Sequence, residues 1–142
     1  MILLDTNVII DAHYGVGNHR VHARNLISSA VIDTGAAINC ITLGELYAGP
    51  KRGEEIEEDM RRAGIAVLDL PVAAAAICGR AYRRYRIARA RSGGGKAPSM
   101  PLPDFFIGAH AELMGWKLAT RDFERYRIYF PAVELIEPAT VS

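Results

Sequence analysis

Apolar residues fall in short runs that alternate with longer amphipathic stretches along the whole chain. Residues 2–4 have the length and branching of a buried strand, and Asp5 follows at once. Thr6 and Asn7 are good helix-capping residues, and Val8-Ile9-Ile10 resumes the apolar pattern, so a short helix is expected over 6–11. A second helix is expected over 18–29, with Val21, Leu26 and Ile27 near one face. The apolar stretch 36–41 reads as a strand, followed by a helix over 43–48 with Thr42 as its N-cap. A polar helix over 54–63 leads to a strand over 65–68, then to a long helix over 72–91. A glycine-rich loop over 92–98 precedes an apolar helix, 105–116, opened by Asp104. Strands over 117–120 and 133–136 complete the series. Helical crossovers between strands make parallel pairings, and a parallel sheet must be covered on both faces. The expected fold is therefore α/β, a three-layer α/β/α sandwich around a mostly parallel sheet. With no internal repeat and no internal boundary, 142 residues read as one domain, 1–142.

Composition narrows the class. Half of the residues are hydrophobic, which argues against disorder, and a domain of this size buries roughly two-thirds of its unfolded surface. The alanine-rich run 72–77 is too short to cross a bilayer. Met1 runs directly into strand-like sequence without a basic segment or cleavage site, so neither a signal peptide nor a membrane association is expected. Cys40 and Cys78 lack paired spacing and are expected as buried free thiols in a reducing cytoplasm, not as zinc ligands.

Net charge is +1, but its distribution is uneven. Between Pro71 and Met100 there is no acid, while Arg80, Arg84 and Arg91 fall near one helical stripe flanked by Arg83 and Arg86. Tyr82 and Tyr85 are interleaved and are expected to stack on bases if this surface meets RNA. A solvated helix face, or an acidic partner, explains the same pattern, and both readings stay open. The acidic run 54–59 suits a solvated helix start, where negative charge complements the dipole.

Chemistry is concentrated in four acids. Asp5 sits at a strand tip, Glu45 on an early helical turn, Asp104 at a helix start, and Asp122 just after a short strand. Singly, each has a structural explanation as a cap, dipole partner or turn residue. All four, however, occupy the same kind of position, the edge of a parallel sheet where ligands bind. A carboxylate cluster repels itself, which raises pKa values. Hard oxygen donors suit Mg²⁺ or Mn²⁺, which relieve the repulsion and lower the pKa of bound water. No histidine or lysine is needed as a nucleophile. His13, His19 and His22 read as surface or partner-facing residues, and His110 as structural.

The segments 4–11 (LDTNVIID), 42–49 (TLGELYAG), 102–111 (LPDFFIGAHA) and 118–123 (LATRDF) together resemble the PIN domain family, and within it the VapC-like toxins. The resemblance runs in motif order over nearly the whole chain. It implies about five parallel strands and a metal-dependent endoribonuclease activity. Asp5, Glu45 and Asp104 would be core ligands of Mg²⁺ or Mn²⁺, with Asp122 a fourth, variable acid. Thr6, Asn7 and Thr120 match positions that orient ligands or substrate, whereas Asp11 is expected to be structural. The implied partners are an RNA substrate, a cognate antitoxin protein and a second copy in a homodimer. Two departures are the long glycine-rich loop 92–99 and the tail 123–127 (FERYR), which replaces a shorter acidic ending. A non-cleaving RNA- or partner-binding module is the alternative. A small-molecule phosphohydrolase is disfavoured, because no second Asp follows two residues after Asp5 and no Walker-type loop exists.

Overall fold

The computed structural model describes residues 1–50 and 53–138, so the last four residues of the expected 1–142 domain lie outside the described part. The elements follow in the order β1 (Ile2–Leu4), α1 (Thr6–Tyr14), α2 (Asn18–Asp33), β2 (Ala36–Asn39), α3 (Cys40–Tyr47) and α4 (Gly53–Ala63). Then come β3 (Ile65–Leu68), α5 (Ala74–Arg91), α6 (Pro103–Met114), β4 (Lys117–Ala119), α7 (Glu124–Tyr129) and β5 (Leu135–Ile136). The five strands form one sheet in the order β3-β2-β1-β4-β5, and every pairing is parallel.

The period-two alternation of a strand decides which helices cover which face. Leu3, Ala37 and Leu118 point to one side, where they pack with Cys78, Ala81, Phe105, Ile107, Tyr126 and Phe130 from α5 through Phe130, just past α7. Leu4, Ala36, Ile38 and Ala119 point to the other, against Val8, Ile9, Ala23, Ile27 and Met60 of α1, α2 and α4. This is the expected three-layer sandwich. β1 lies between β2 and β4, so chain connections leave it in opposite directions, and a crevice opens at the β1/β4 tips.

Several local expectations are corrected. β2 stops at Asn39, and Asn39, not Thr42, caps α3: its Oδ1 accepts from Ile41 N (3.0 Å) and Thr42 N (3.1 Å). Thr42 is buried inside the helix instead. The earlier helix start moves Cys40 onto the exposed first turn, whereas Cys78 is buried as expected. Tyr82 is buried and Tyr85 is half-buried. Both pack on Phe105, with centroids at 5.0 and 5.2 Å, so they are held in the core rather than offered to bases. Spaced three residues apart on α5, they share the stripe that faces α6. The tail 123–127 contributes to a short helix, α7, which the polar sequence does not advertise.

Gly108 decides how that helix seats. A Cβ there would stand 2.5 Å from the Phe130 ring, so only glycine lets Phe130, just past α7, lie directly on α6.

Candidate active site

The site is built at the β1/β4 tips. Asp5 N donates to Ala119 O (2.9 Å), which carries the sheet ladder to the last residue before α1. Asp5 is then the N-cap of α1, its Oδ1 accepting from Thr6 N at 2.8 Å. Its Oδ2 accepts from Thr120 Oγ1 (2.8 Å) and Asn7 Nδ2 (3.3 Å). Asn7 Nδ2 also reaches Thr120 Oγ1 (3.3 Å), while Asn7 Oδ1 accepts from Arg121 N (3.1 Å). Thr6, Asn7 and Thr120 thus hold the Asp5 carboxylate in one orientation.

Glu45 is exposed on α3, yet its Oε1 is anchored by the Thr6 hydroxyl at 2.7 Å, with the Thr42 hydroxyl 3.2 Å from Thr6. Asp104, in the first turn of α6, accepts from Arg125 Nη1 of α7 at 3.0 Å. Asp122 is exposed just past β4, its backbone N donating to Thr120 Oγ1 (3.0 Å). Asp11 stays structural, its carboxylate gripped by Arg121 at 2.7 and 3.1 Å.

Electrostatics link these groups. Burial, then the charge of Asp104, raises Asp5 from its ordinary 3.8 to about 6, although hydrogen bonds from Thr120 and Thr6 pull it down. Asp104 is also raised, chiefly by burial and further by Asp122, against the lowering effect of Arg125. Tyr126 lies beneath them. It is almost fully buried, its hydroxyl makes no well-formed hydrogen bond, and burial plus the charges of Asp5, Asp104 and Glu45 push its pKa far up.

Among the described residues, no three His, Cys, Asp or Glu side chains are already drawn together as a coordination cage. The donors nevertheless fit a hard divalent cation in kind: they are carboxylates and hydroxyls, with the buried Tyr126 hydroxyl close to Asp5 and Asp104. Burial and neighbouring acids raise Asp5 and Asp104, an arrangement that a divalent cation would relieve.

The remaining candidates are placed as follows. Arg80 and Arg91 are exposed on α5. Arg84, also exposed, donates from Nη2 to Tyr129 O at 2.9 Å and so ties α5 to α7. His110 is buried with Nδ1 3.2 Å from Asn39 Nδ2. That nitrogen is a donor, so the ring accepts at Nδ1, and burial lowers its pKa. The strut joins α6 to the cap of α3, the helices that carry Asp104 and Glu45. Sequence reasoning missed Arg125, Tyr126 and Asn39. The i, i+4 spacing of Tyr126 and Phe130 was the available signal for a buried stripe there.

No curated protein matches the sequence. Among solved structures, the chain is similar to one from DNA-bound VapBC of Salmonella typhimurium, at 26% identity and TM-score 0.63, covering 97% of this chain and 98% of that one. It is also similar to one from VapBC2 of Rickettsia felis bound to a promoter DNA fragment (22%, TM-score 0.64, 96% and 98%). A third is from a toxin–antitoxin complex of Klebsiella pneumoniae (21%, TM-score 0.63, 99% and 100%). The sequence profile of the PIN domain matches residues 2–131. With the five-stranded parallel sheet and the acid-lined β1/β4 crevice in agreement, the chain belongs to the PIN domain family.

Proposed function

We propose that the chain is a metal-dependent endoribonuclease and the toxin half of a VapBC-type toxin–antitoxin pair. The observation that carries this reading is the buried Asp5 carboxylate, oriented by three polar residues and close enough to Asp104 to have its pKa raised. Such a strained acid pair is costly unless it serves a cation.

Asp5, Glu45, Asp104 and Asp122 would hold Mg²⁺ or Mn²⁺, which when bound supplies a lowered water pKa and charge stabilisation on a phosphodiester. The chain's own residues do the rest. Thr120, Asn7 and the Thr6 amide keep Asp5 rigid at the floor of the site. Thr6 aims Glu45 inwards from an otherwise exposed position. Arg125 offers a guanidinium at the rim, one-third exposed, where it can trade Asp104 for a phosphate oxygen. Arg80 and Arg91 extend a basic surface along α5 for the RNA backbone, with Arg84 part of it and part of the fold.

Similarity to toxin–antitoxin complexes supports a cognate antitoxin as the protein partner. An apolar groove lined by Ile9, Ile10, Tyr14, Leu46 and Met60 opens beside Glu45 and suits an inserted partner segment. A homodimer and a cytoplasmic location belong to the same reading. No helix among the described residues is long and apolar enough to cross a membrane.

The test is cleavage of a structured RNA pool by wild type and Asp5→Asn with Mg²⁺, Mn²⁺ or EDTA. Metal-dependent cuts that vanish in the variant are expected. Cuts that survive in Asp5→Asn, or in EDTA, overturn the assignment; metal-independent RNA binding without cuts favours a binding module.

A further inference from the structure

We propose that the Tyr126 hydroxyl is a positioning group of the acidic site, a buried donor that orders the water held between Asp5 and Asp104. This rests on the nuclease reading above. Tyr126 OH is the one buried side-chain polar atom that makes no well-formed hydrogen bond among the described residues, and it lies near enough to Asp5 and Asp104 to help lower the pKa of both. A buried hydroxyl without a well-formed bond is destabilising relative to a satisfied one. Packing does not require it, because the ring sits beside Phe130 in an aromatic cluster that phenylalanine would complete equally well. What the hydroxyl faces is the acid cluster: Asp5 and Asp104 first, then Glu45.

Its placement is also fixed from several directions. The adjacent Arg125 grips Asp104 at 3.0 Å and lies over the Tyr85 and Phe105 rings, at 5.3 and 5.9 Å from their centroids. Arg84 holds the end of α7 through Tyr129 O, and Phe130 is seated against Gly108. These contacts leave the hydroxyl little freedom to turn elsewhere. Surrounded by carboxylates, the phenol stays neutral and can only donate towards them, or accept from nothing at all. A water between two carboxylates gives them its hydrogens and accepts from the phenol, so that both carboxylates are held in one orientation for a cation. The phenol transfers no proton in this arrangement; it fixes where the water points.

The experiment is Tyr126→Phe in the full chain, with three readouts. Thermal unfolding is expected to change little, because the ring and its aromatic contacts are retained. Mn²⁺ affinity by titration calorimetry and kcat for RNA cleavage are each expected to fall by about 10- to 100-fold, with KM unchanged. A variant that binds Mn²⁺ and cuts like wild type overturns the proposal, as does a fall in kcat matched by a fall in melting temperature. Wild type that fails to cut defeats the nuclease reading separately; a Tyr126-dependent Mn²⁺ affinity in that case still assigns the hydroxyl to the site.

Discussion

Thr120 Oγ1 stands 2.8 Å from Asp5 Oδ2 and donates to it, joining the tips of β4 and β1 across 115 residues of sequence. The same oxygen accepts from Asn7 Nδ2 and Asp122 N, so one hydroxyl organises both sides of the crevice. Thr120→Val keeps the shape and removes all three bonds. It is expected to destabilise by about 1–3 kcal/mol, since Asp5 and the Asp122 amide lose a partner. Losing that donor also raises the Asp5 pKa further, so Mn²⁺ affinity should fall more at pH 6 than at pH 8. Urea unfolding and Mn²⁺ titration at both values check this, and a pH-independent loss would contradict it.

Asp5 makes metal-free stability depend on pH in a stated direction. Its pKa is about 6 folded against 3.8 ordinarily, so between those values the folded state holds the extra proton. Stability from this group therefore rises as pH falls from 7 towards 4, by about 3 kcal/mol at most. His110 acts oppositely: its lowered folded pKa means that stability falls as pH drops through 6.5. Comparing wild type with Asp5→Asn in EDTA cancels the histidine contribution. The difference is expected to shrink or reverse once Mg²⁺ is added, because a cation favours the charged carboxylate. Parallel pH curves for the two proteins in EDTA would refute the assignment of a raised pKa to Asp5.

Gly108→Ala places a Cβ 2.5 Å from the buried Phe130 ring. Overpacking of this kind costs about 1–3 kcal/mol. Because Phe130 anchors α7, the variant should also loosen Tyr126 and Arg125 and weaken Mn²⁺ binding while helical content by circular dichroism persists. Unaltered urea unfolding would show that α7 adapts without strain.

Arg80 and Arg91 are exposed and make none of the fold's side-chain hydrogen bonds described above, unlike Arg84. If α5 tracks the RNA backbone, Arg80→Ala and Arg91→Ala should each lower the salt dependence of RNA affinity by about 1 in log–log slope. Melting temperatures should hold. Arg84→Ala should lower both affinity and stability, which separates its two roles. Binding isotherms at several salt concentrations decide it, and unchanged slopes remove α5 from the interface.

Much of this site was legible one residue at a time. Asp5, Glu45, Asp104 and Asp122 each follow a strand or open a helix, and such local punctuation is readable from capping and branching alone. Asn39 escaped because it closes an apolar strand, and Thr42 offered an equally good cap three residues later. Tyr82 and Tyr85 looked available to RNA because a stripe of arginines surrounds them. Only the packing of α5 on α6 shows them turned inward.

The alternation of short apolar runs with amphipathic helices by itself determined the layered α/β class, because strand and helix periods are local properties of the chain. Paired neighbours such as Leu3 and Leu4 must point to opposite faces whatever the topology. The tertiary structure alone decided the strand order, which brings Thr120 to Asp5. It alone set Arg125 against Asp104 and buried the Tyr126 hydroxyl beside Asp5 and Asp104. Those relationships arise where crossover connections carry distant segments to one sheet edge. No local preference of Arg125 or Tyr126 encodes which carboxylate it will meet.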